Sequence, residues 1–331
     1  EEWLGTEPVF TPKEISELTN GTNGQQNLCL NGHLLPEIMV IGAIKAGTTT
    51  FCSTLRYSPS ILFPRTQKRW EGSTKFPAKW KEGHYFDKHK KQGIDYVLSD
   101  YGTCDRRVRL IGVDGSAAYG VEHAVPVTMK AWYGEMARRL KFVLVMRDPV
   151  RRLHSHYYHS LELNWCPELE KRSFRAVAAD IVRAPPLRWR RSALVLVGGG
   201  CRCFIEGSLY TDQIRLYFEH FEPRQFTLVP FLFNVAPGEG GRAATHPAQS
   251  LWERLGARGA EPPILHANDR RHRRLENDLL PREIIRLRAW FYTLTRPLLI
   301  ARLVADTDAV LHGLTGTRSV ANVTAWIGNN W

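Results

Sequence analysis

Cysteine is scarce in this chain: six in 331 residues, at Cys29, Cys52, Cys104, Cys166, Cys201 and Cys203. That is too few for a fold built on disulfides. Cys201-Arg202-Cys203 has no second close pair of Cys or His at ligand spacing, which excludes a zinc knuckle. Long apolar runs are missing as well. The longest, such as residues 142–146 and 193–197, are strand-sized, far short of the ~18 residues of a membrane span. Acidic residues fall short of basic ones, 33 Asp and Glu against 45 Lys and Arg, for a net charge of +12. So basic a chain favours polyanionic partners: nucleic acid, an anionic membrane, an acidic glycan or a nucleotide phosphate. The hydrophobic fraction, 43%, supports a real core and excludes a disordered or collagen-like chain. With Glu1 first and no charged-then-apolar leader, the sequence reads as a mature or trimmed form. The cysteines leave room for one or two disulfides, Cys166 with Cys201 or Cys203 among them, or for free buried thiols. Two sequons, Asn20-Gly21-Thr22 and Asn322-Val323-Thr324, lean towards a secretory compartment.

Residues 1–35 carry Gly, Asn and Pro with little periodicity and are expected to form an extended arm. Residues 37–42 (EIMVIG), 108–114 (VRLIGVD), 141–146 (KFVLVM) and 225–231 (QFTLVPF) predict buried strands. Between them, residues 127–140 have helical composition. Tyr210, Ile214, Tyr217, Phe218 and Phe221 fall on one helical stripe, and Pro281 opens a last helix. Strands alternating with helices imply one α/β domain, residues 36–331, around a central parallel sheet. Residues 65–81, basic with interleaved Trp, and 236–263, rich in Gly, Ala and Pro, predict surface insertions.

The sharpest chemical signal is Gly42-Ala43-Ile44-Lys45-Ala46-Gly47-Thr48-Thr49, between a predicted strand and a helix. Glycines let the backbone wrap an anion, and the first helical N–H groups aim at it. A nucleotide-hydrolase P-loop ends in Gly-Lys-Ser/Thr, the hydroxyl serving magnesium. Here Thr48 follows Gly47 and the lysine stands earlier, at Lys45, so the loop holds a phosphate without the usual metal-organised triphosphate cradle. Arg147-Asp148-Pro149-Val150-Arg151-Arg152-Leu153-His154-Ser155 follows a second strand. Arg147 offers a planar fork of donors and Ser155 a neutral one. Alone, this turn reads equally as a capped strand exit. Paired with the first loop, it points to a ligand with two separated phosphates.

Lys45 through Thr49, together with Arg147 through Ser155, resembles the 5′-phosphosulfate and 3′-phosphate motifs of the sulfotransferases, whose donor is 3′-phosphoadenosine 5′-phosphosulfate (PAPS). Glu2-Trp3-Leu4-Gly5, residues 146–157 (MRDPVRRLHSHY), residues 207–231, and residues 267–271 with the helix after them narrow the resemblance. They are most similar to the carbohydrate sulfotransferases, in particular the N-acetylgalactosamine 4-sulfate 6-O-sulfotransferase type of the chondroitin branch. The resemblance implies a P-loop-like fold, PAPS as donor with its bisphosphate (PAP) as product, and no required metal. It also implies an acidic polysaccharide as acceptor, no nucleic acid, and a Golgi-lumen location with an N-terminal membrane anchor outside this sequence.

Within that resemblance, Glu82-Gly83-His84-Tyr85-Phe86 is similar to the Glu-x-His-aromatic segment of glycan O-sulfotransferases. Glu82 becomes the catalytic base, His84 its orienting partner or reserve base, and Lys45 the cation meeting the leaving phosphate oxygen. From the residues alone, Glu82 is a surface carboxylate in a basic loop. Lys45, Ala46, Gly47, Thr48 and Thr49 would hold the 5′ end of the donor; Arg147 and Ser155 would hold the 3′-phosphate. Arg270 and Arg271 resemble a late basic loop closing over that phosphate, or they belong to a solvated basic run. Asp114 and Ser116 lie where the family places a strand-end acid and a small-residue turn; Asp114 aligns the acceptor or caps the turn. Heparan-type members carry a lysine where this chain has Gly115, leaving one cationic contact unfilled. Lys68, Arg69 and Trp80 are candidate acceptor contacts, as is the stretch holding Arg172, Arg175 and Arg183. A small alcohol or lipid acceptor is the alternative, and a non-catalytic polyanion-binding module the third reading.

Overall fold

All seven residues of β3 (Pro36–Gly42) are buried, as a strand covered on both faces requires. The same holds for β5 (Ile111–Asp114), and β6 (Lys141–Met146) is buried beyond its first residue. With β4 (Ile61–Leu62) and β7 (Phe226–Pro230) they form a five-stranded sheet in the order β4-β5-β3-β6-β7. Every pairing in it is parallel. The computed structural model describes residues 11–13, 15, 27–64, 81–104, 108–183, 203–231, 248, 251, 253, 255–256 and 274–295. Helices flank the sheet: α1 (Thr48–Leu55), α2 (Gly93–Asp100), α3 (Ala124–Tyr133), α4 (Pro149–Glu162), α5 (Phe174–Arg183), α6 (Tyr210–Phe218) and α7 (Pro281–Thr295). The predicted α/β domain with a central parallel sheet is therefore what the chain forms.

Two apolar clusters hold the layers together. One surrounds the sheet, with Phe51, Phe142, Tyr217 and Phe226 among its aromatic members. The other joins α4, α5 and α7 through Leu153, Tyr157, Phe174, Ile181, Leu287 and Phe291. That second cluster pins the last helix beside the start of α4. Arg288 adds an ion pair to Asp148, Nε to Oδ2 at 2.8 Å.

Several expectations shift. Residues 27–35 do not extend as an arm: β1 (Cys29–Leu30) and β2 (His33–Leu34) pair antiparallel, and Leu28, Leu30, Leu34 and Leu35 are buried. A disulfide from Cys29 to Cys104 ties them down. Cys166 is disulfide-bonded too, while Cys52 is a buried free thiol. The expected surface insertions reach the interior at Lys81, Ala248 and Leu251, all buried. The predicted strand at 108 begins only at Ile111, with Val108 exposed. The helix predicted over 127–140 is α3, closed at Gly134 by a positive φ of 51° and continued as a 3-10 turn. The two-residue β4 was not predicted; two residues carry no readable periodicity. No helix among the described residues is long and apolar enough to cross a membrane. The sequons at Asn20 and Asn322 lie outside the described residues.

Candidate active site

The carboxyl ends of β5, β3 and β6, adjacent in the sheet, carry three functional segments side by side. Ligands of open α/β sheets bind outside such strand ends.

After β3, residues 43–47 turn sharply into α1. Lys45 has φ 67° and Gly47 φ 94°, both left-handed. For a non-glycine residue that conformation costs roughly 1–2 kcal/mol, which the loop carries at Lys45. Gly47 caps α1 without any side-chain hydrogen bond, so the first-turn N–H groups face the loop. Lys45, Gly47 and Thr49 are half-buried; Ala46 and Thr48 are buried. The segment expected to hold the 5′ anion is thus a tight loop opening onto the N-terminus of α1, with Lys45 half-buried and Thr48 buried.

After β6, Asp148 caps α4 by accepting from the Arg151 N–H at 2.7 Å, with Pro149 in the first turn. The Arg147 backbone is held by Tyr210, whose hydroxyl donates to the Arg147 carbonyl at 2.8 Å. Arg147 then reaches across to the first loop, donating from NH1 to the Lys45 carbonyl at 3.2 Å. Arg152, fully buried, donates to the Ile44 carbonyl at 3.3 Å and to Ser208 Oγ at 2.5 Å. The two loops are therefore one unit. A cleft of about 420 Å³ opens beside them, lined by Arg147, Arg151, His154, Ser155, Tyr158 and Arg274 with Leu275 and Glu276. Arg147 and Ser155 line the same cleft. Nε of Arg147 is buried with no hydrogen-bond partner among the described residues, a donor that an anion in the cleft would satisfy. Arg270 and Arg271 lie outside the described residues; Arg274, farther along the same basic run, lines the cleft. His154 gives an Nε2 contact to Asp278 at 2.8 Å, and burial lowers its pKa.

Beside β5, Asp114 is fully enclosed. Its Oδ1 accepts from the Gly83 N–H at 3.0 Å and from Ser116 Oγ at 2.6 Å, and its Oδ2 from the Tyr119 hydroxyl at 2.7 Å. Ser116 Oγ in turn accepts from the His84 N–H at 2.9 Å. Asp114 and Ser116, expected to meet the acceptor, are buried and instead hold residues 82–84 in place. Of the two readings of Asp114, turn capping is the one its contacts describe. Asp114→Ala would strand four donors, the Gly83 and Ser116 N–H groups and the Ser116 and Tyr119 hydroxyls, each buried donor worth about 1–3 kcal/mol. A loss of several kcal/mol in denaturant unfolding is the expected result.

That bracket presents Glu82. Lys81 Nζ donates to Glu82 Oε1 at 2.6 Å, and His84 Nε2 lies 3.3 Å from Oε2. His84 Nδ1 donates to Asp87 Oδ2 at 2.9 Å. Burial opposes ionisation of Glu82, but the charge of Lys81 and the His84 hydrogen bond outweigh it and hold the carboxyl below its usual range. Burial likewise opposes the charged form of His84. Hydrogen bonds to Asp87 and Glu82 prevail and raise its pKa to about 9. The raised pKa favours the imidazolium form of His84, in which it donates to Glu82 and suits the orienting role of its two readings.

Sequence reasoning missed Lys81, Asp87, Arg151, His154 and Tyr158. Asp87 had a signal in its three-residue spacing from His84; Lys81 had none beyond adjacency. Lys68, Arg69 and Trp80 lie outside the described residues. Of the second basic stretch, Arg172, in the turn before α5, and Arg183 pair with Asp180, and Arg175 of α5 pairs with Glu283 of α7, so each is engaged in an ion pair.

No family model matches the chain. It is 25% identical over 245 residues to mouse (Mus musculus) heparan sulfate glucosamine 3-O-sulfotransferase 3B1, covering 73% of this chain and 48% of that protein. It is 26% identical over 196 residues to mouse bifunctional heparan sulfate N-deacetylase/N-sulfotransferase 3, 59% of this chain and 20% of that protein. The chain thus spans about half or less of these curated relatives' length. A crystal structure of a sulfotransferase from Alicyclobacillus acidocaldarius matches with TM-score 0.51 at 18% identity, over 81% of this chain and 95% of that one. The chain shares its fold. These relatives support a carbohydrate sulfotransferase grouping; none of them singles out the chondroitin branch.

Proposed function

We propose that this chain transfers a sulfuryl group from PAPS to a hydroxyl of a glycan. Arg147 carries the reading: one guanidinium reaches the Lys45 loop and belongs to a residue lining the neighbouring cleft, and its buried Nε has no hydrogen-bond partner among the described residues. A ligand bearing anions at both ends suits that arrangement, and adenosine 3′,5′-bisphosphate is such a ligand. In the proposed step the acceptor oxygen bonds to sulfur as the bond from sulfur to the bridging 5′-phosphate oxygen breaks. The hydroxyl proton passes to Glu82. Lys45 supplies positive charge where the departing phosphate gains a negative one. Paired as it is, Glu82 stays ionised at every working pH but is a weak base. Proton transfer then comes late, once the bond to sulfur has made the hydroxyl acidic.

The acceptor we favour is a sulfated glycosaminoglycan-like chain, with the 6-hydroxyl of 4-sulfated N-acetylgalactosamine as the specific candidate and heparan sulfate as the comparison in a glycan panel. The net charge of +12 suits a polyanion better than a small neutral alcohol or lipid. A module that only binds polyanions would have no use for the Glu82, His84 and Asp87 network. The disulfide from Cys29 to Cys104 fits an oxidising compartment, in keeping with the Golgi lumen. Thermal shift tests the donor site. Adenosine 3′,5′-bisphosphate should raise Tm clearly more than ATP with EDTA or ATP with magnesium; a preference for magnesium ATP would overturn the reading.

A further inference from the structure

Lys81 is among the largest fully buried side chains of the protein, yet it is charged and has no place in the reaction as described. Its ammonium makes two hydrogen bonds, to Glu82 Oε1 at 2.6 Å and to the Gly115 carbonyl at 2.7 Å. The backbone closes the same bracket, since the Gly115 N–H donates to the Lys81 carbonyl at 2.6 Å. A side chain at position 115 would be crowded. A Cβ there would come within 3.0 Å of Cys52 Sγ, 3.0 Å of the Lys81 carbonyl and 3.1 Å of Lys81 Cβ. The space above Gly115 is filled by Lys81, reaching in from the neighbouring segment.

Resting on the sulfuryl-transfer reading, we infer that Lys81 is the positioning residue of Glu82. It fixes Oε1 against the end of β5 and leaves Oε2, shared with His84, as the proton-accepting oxygen. The other groups near Glu82 do not duplicate it. His84 holds only Oε2, and Asp114 brings negative charge from β5. Cys52, on α1, is a neutral thiol that burial pushes up to about 12. Asp87 is engaged with His84, and the Lys88 ammonium is 3.3 Å from His84 Nε2. Burial works against the Lys81 charge, but Glu82 outweighs it and raises the lysine's pKa.

The test is Lys81→Met, which keeps length and removes charge, with the Glu82 carboxyl followed by 13C NMR beside turnover. The expected midpoint for Glu82 rises by at least about one pH unit, a tenfold change in proton affinity. Turnover falls about tenfold or more and acquires an acid limb within the measurable range, while affinity for adenosine 3′,5′-bisphosphate holds. A folded variant with an unmoved Glu82 midpoint overturns the inference. Should Lys81→Met fail to fold, 15N NMR of the wild-type lysines decides. A slowly exchanging ammonium with contacts to Glu82 supports the role, and a rapidly exchanging Lys81 overturns it. If wild-type protein transfers no sulfuryl group to any acceptor, the enzymatic reading fails on its own, and the Glu82 titration still reports on Lys81.

Discussion

Glu82→Gln leaves adenosine 3′,5′-bisphosphate affinity within about twofold of wild type and lowers turnover by about 10²-fold or more, the range a well-placed general base supplies. Calorimetry for the bisphosphate and a radiolabelled transfer assay check the two halves; an equal loss in both would take the base role from Glu82. The amide keeps the shape of the carboxylate and can still accept from Lys81, so the bracket built on Asp114 persists. What it cannot do is take a proton. The pH dependence follows from the same network. Glu82 is held ionised by Lys81 and His84, so wild-type turnover shows no acid limb in the ordinary carboxylate range. Its alkaline limb falls near pH 9, where His84 loses the proton it shares with Glu82 and Asp87. Stability moves with the same groups. The raised pKa of His84 contributes fully below its ordinary value near 6.5 and is lost as pH climbs through about 9. The lowered pKa of Glu82 contributes above the ordinary carboxylate value and is lost as pH falls well below it.

Arg147→Ala weakens binding of adenosine 3′,5′-bisphosphate by about tenfold to a hundredfold, from the 1.5–3 kcal/mol typical of a hydrogen bond to a charged group. Binding of 5′-AMP, which lacks the second anion, falls much less. The comparison matters because Arg147 also holds the Lys45 carbonyl, so some loss at the 5′ cradle accompanies its removal. A uniform loss for both nucleotides would refute the assignment of Arg147 to the 3′-phosphate. Arg147→Lys keeps the charge without the planar fork, and an intermediate preference for the bisphosphate is expected of it.

The loops after β3 and β6 were legible in the sequence because each follows a continuously apolar run and carries its donors within a few residues. Lys45 and Gly47 announce a turn at a helix N-terminus; Arg147 and Ser155 fall at the end of a strand and one face of a helix. The resemblance added Glu82, which its own neighbours did not distinguish from a surface carboxylate. Asp114 was recognised as a site residue, but its enclosure was not. Nothing local tells whether a strand-end carboxylate faces solvent or four donors packed around it. Lys81 was assigned to a surface insertion, since a lysine in a basic stretch reads as solvated. Its burial depends on the missing side chain of Gly115, 34 positions away.

By itself the sequence determined the class of the fold, the strands β3 and β6 and the start of α7, because hydrophobic periodicity and capping are local properties. The tertiary structure alone decided that β5, β3 and β6 are neighbours, so that Glu82, Lys45 and Arg147 belong to adjacent strand ends. Strand order is set by which apolar faces pack together across the whole chain. It also decided that Asp114 is buried against residues 83 and 116 and that Lys81 is buried and paired with Glu82, because burial and pairing of a charge are properties of what surrounds it in space.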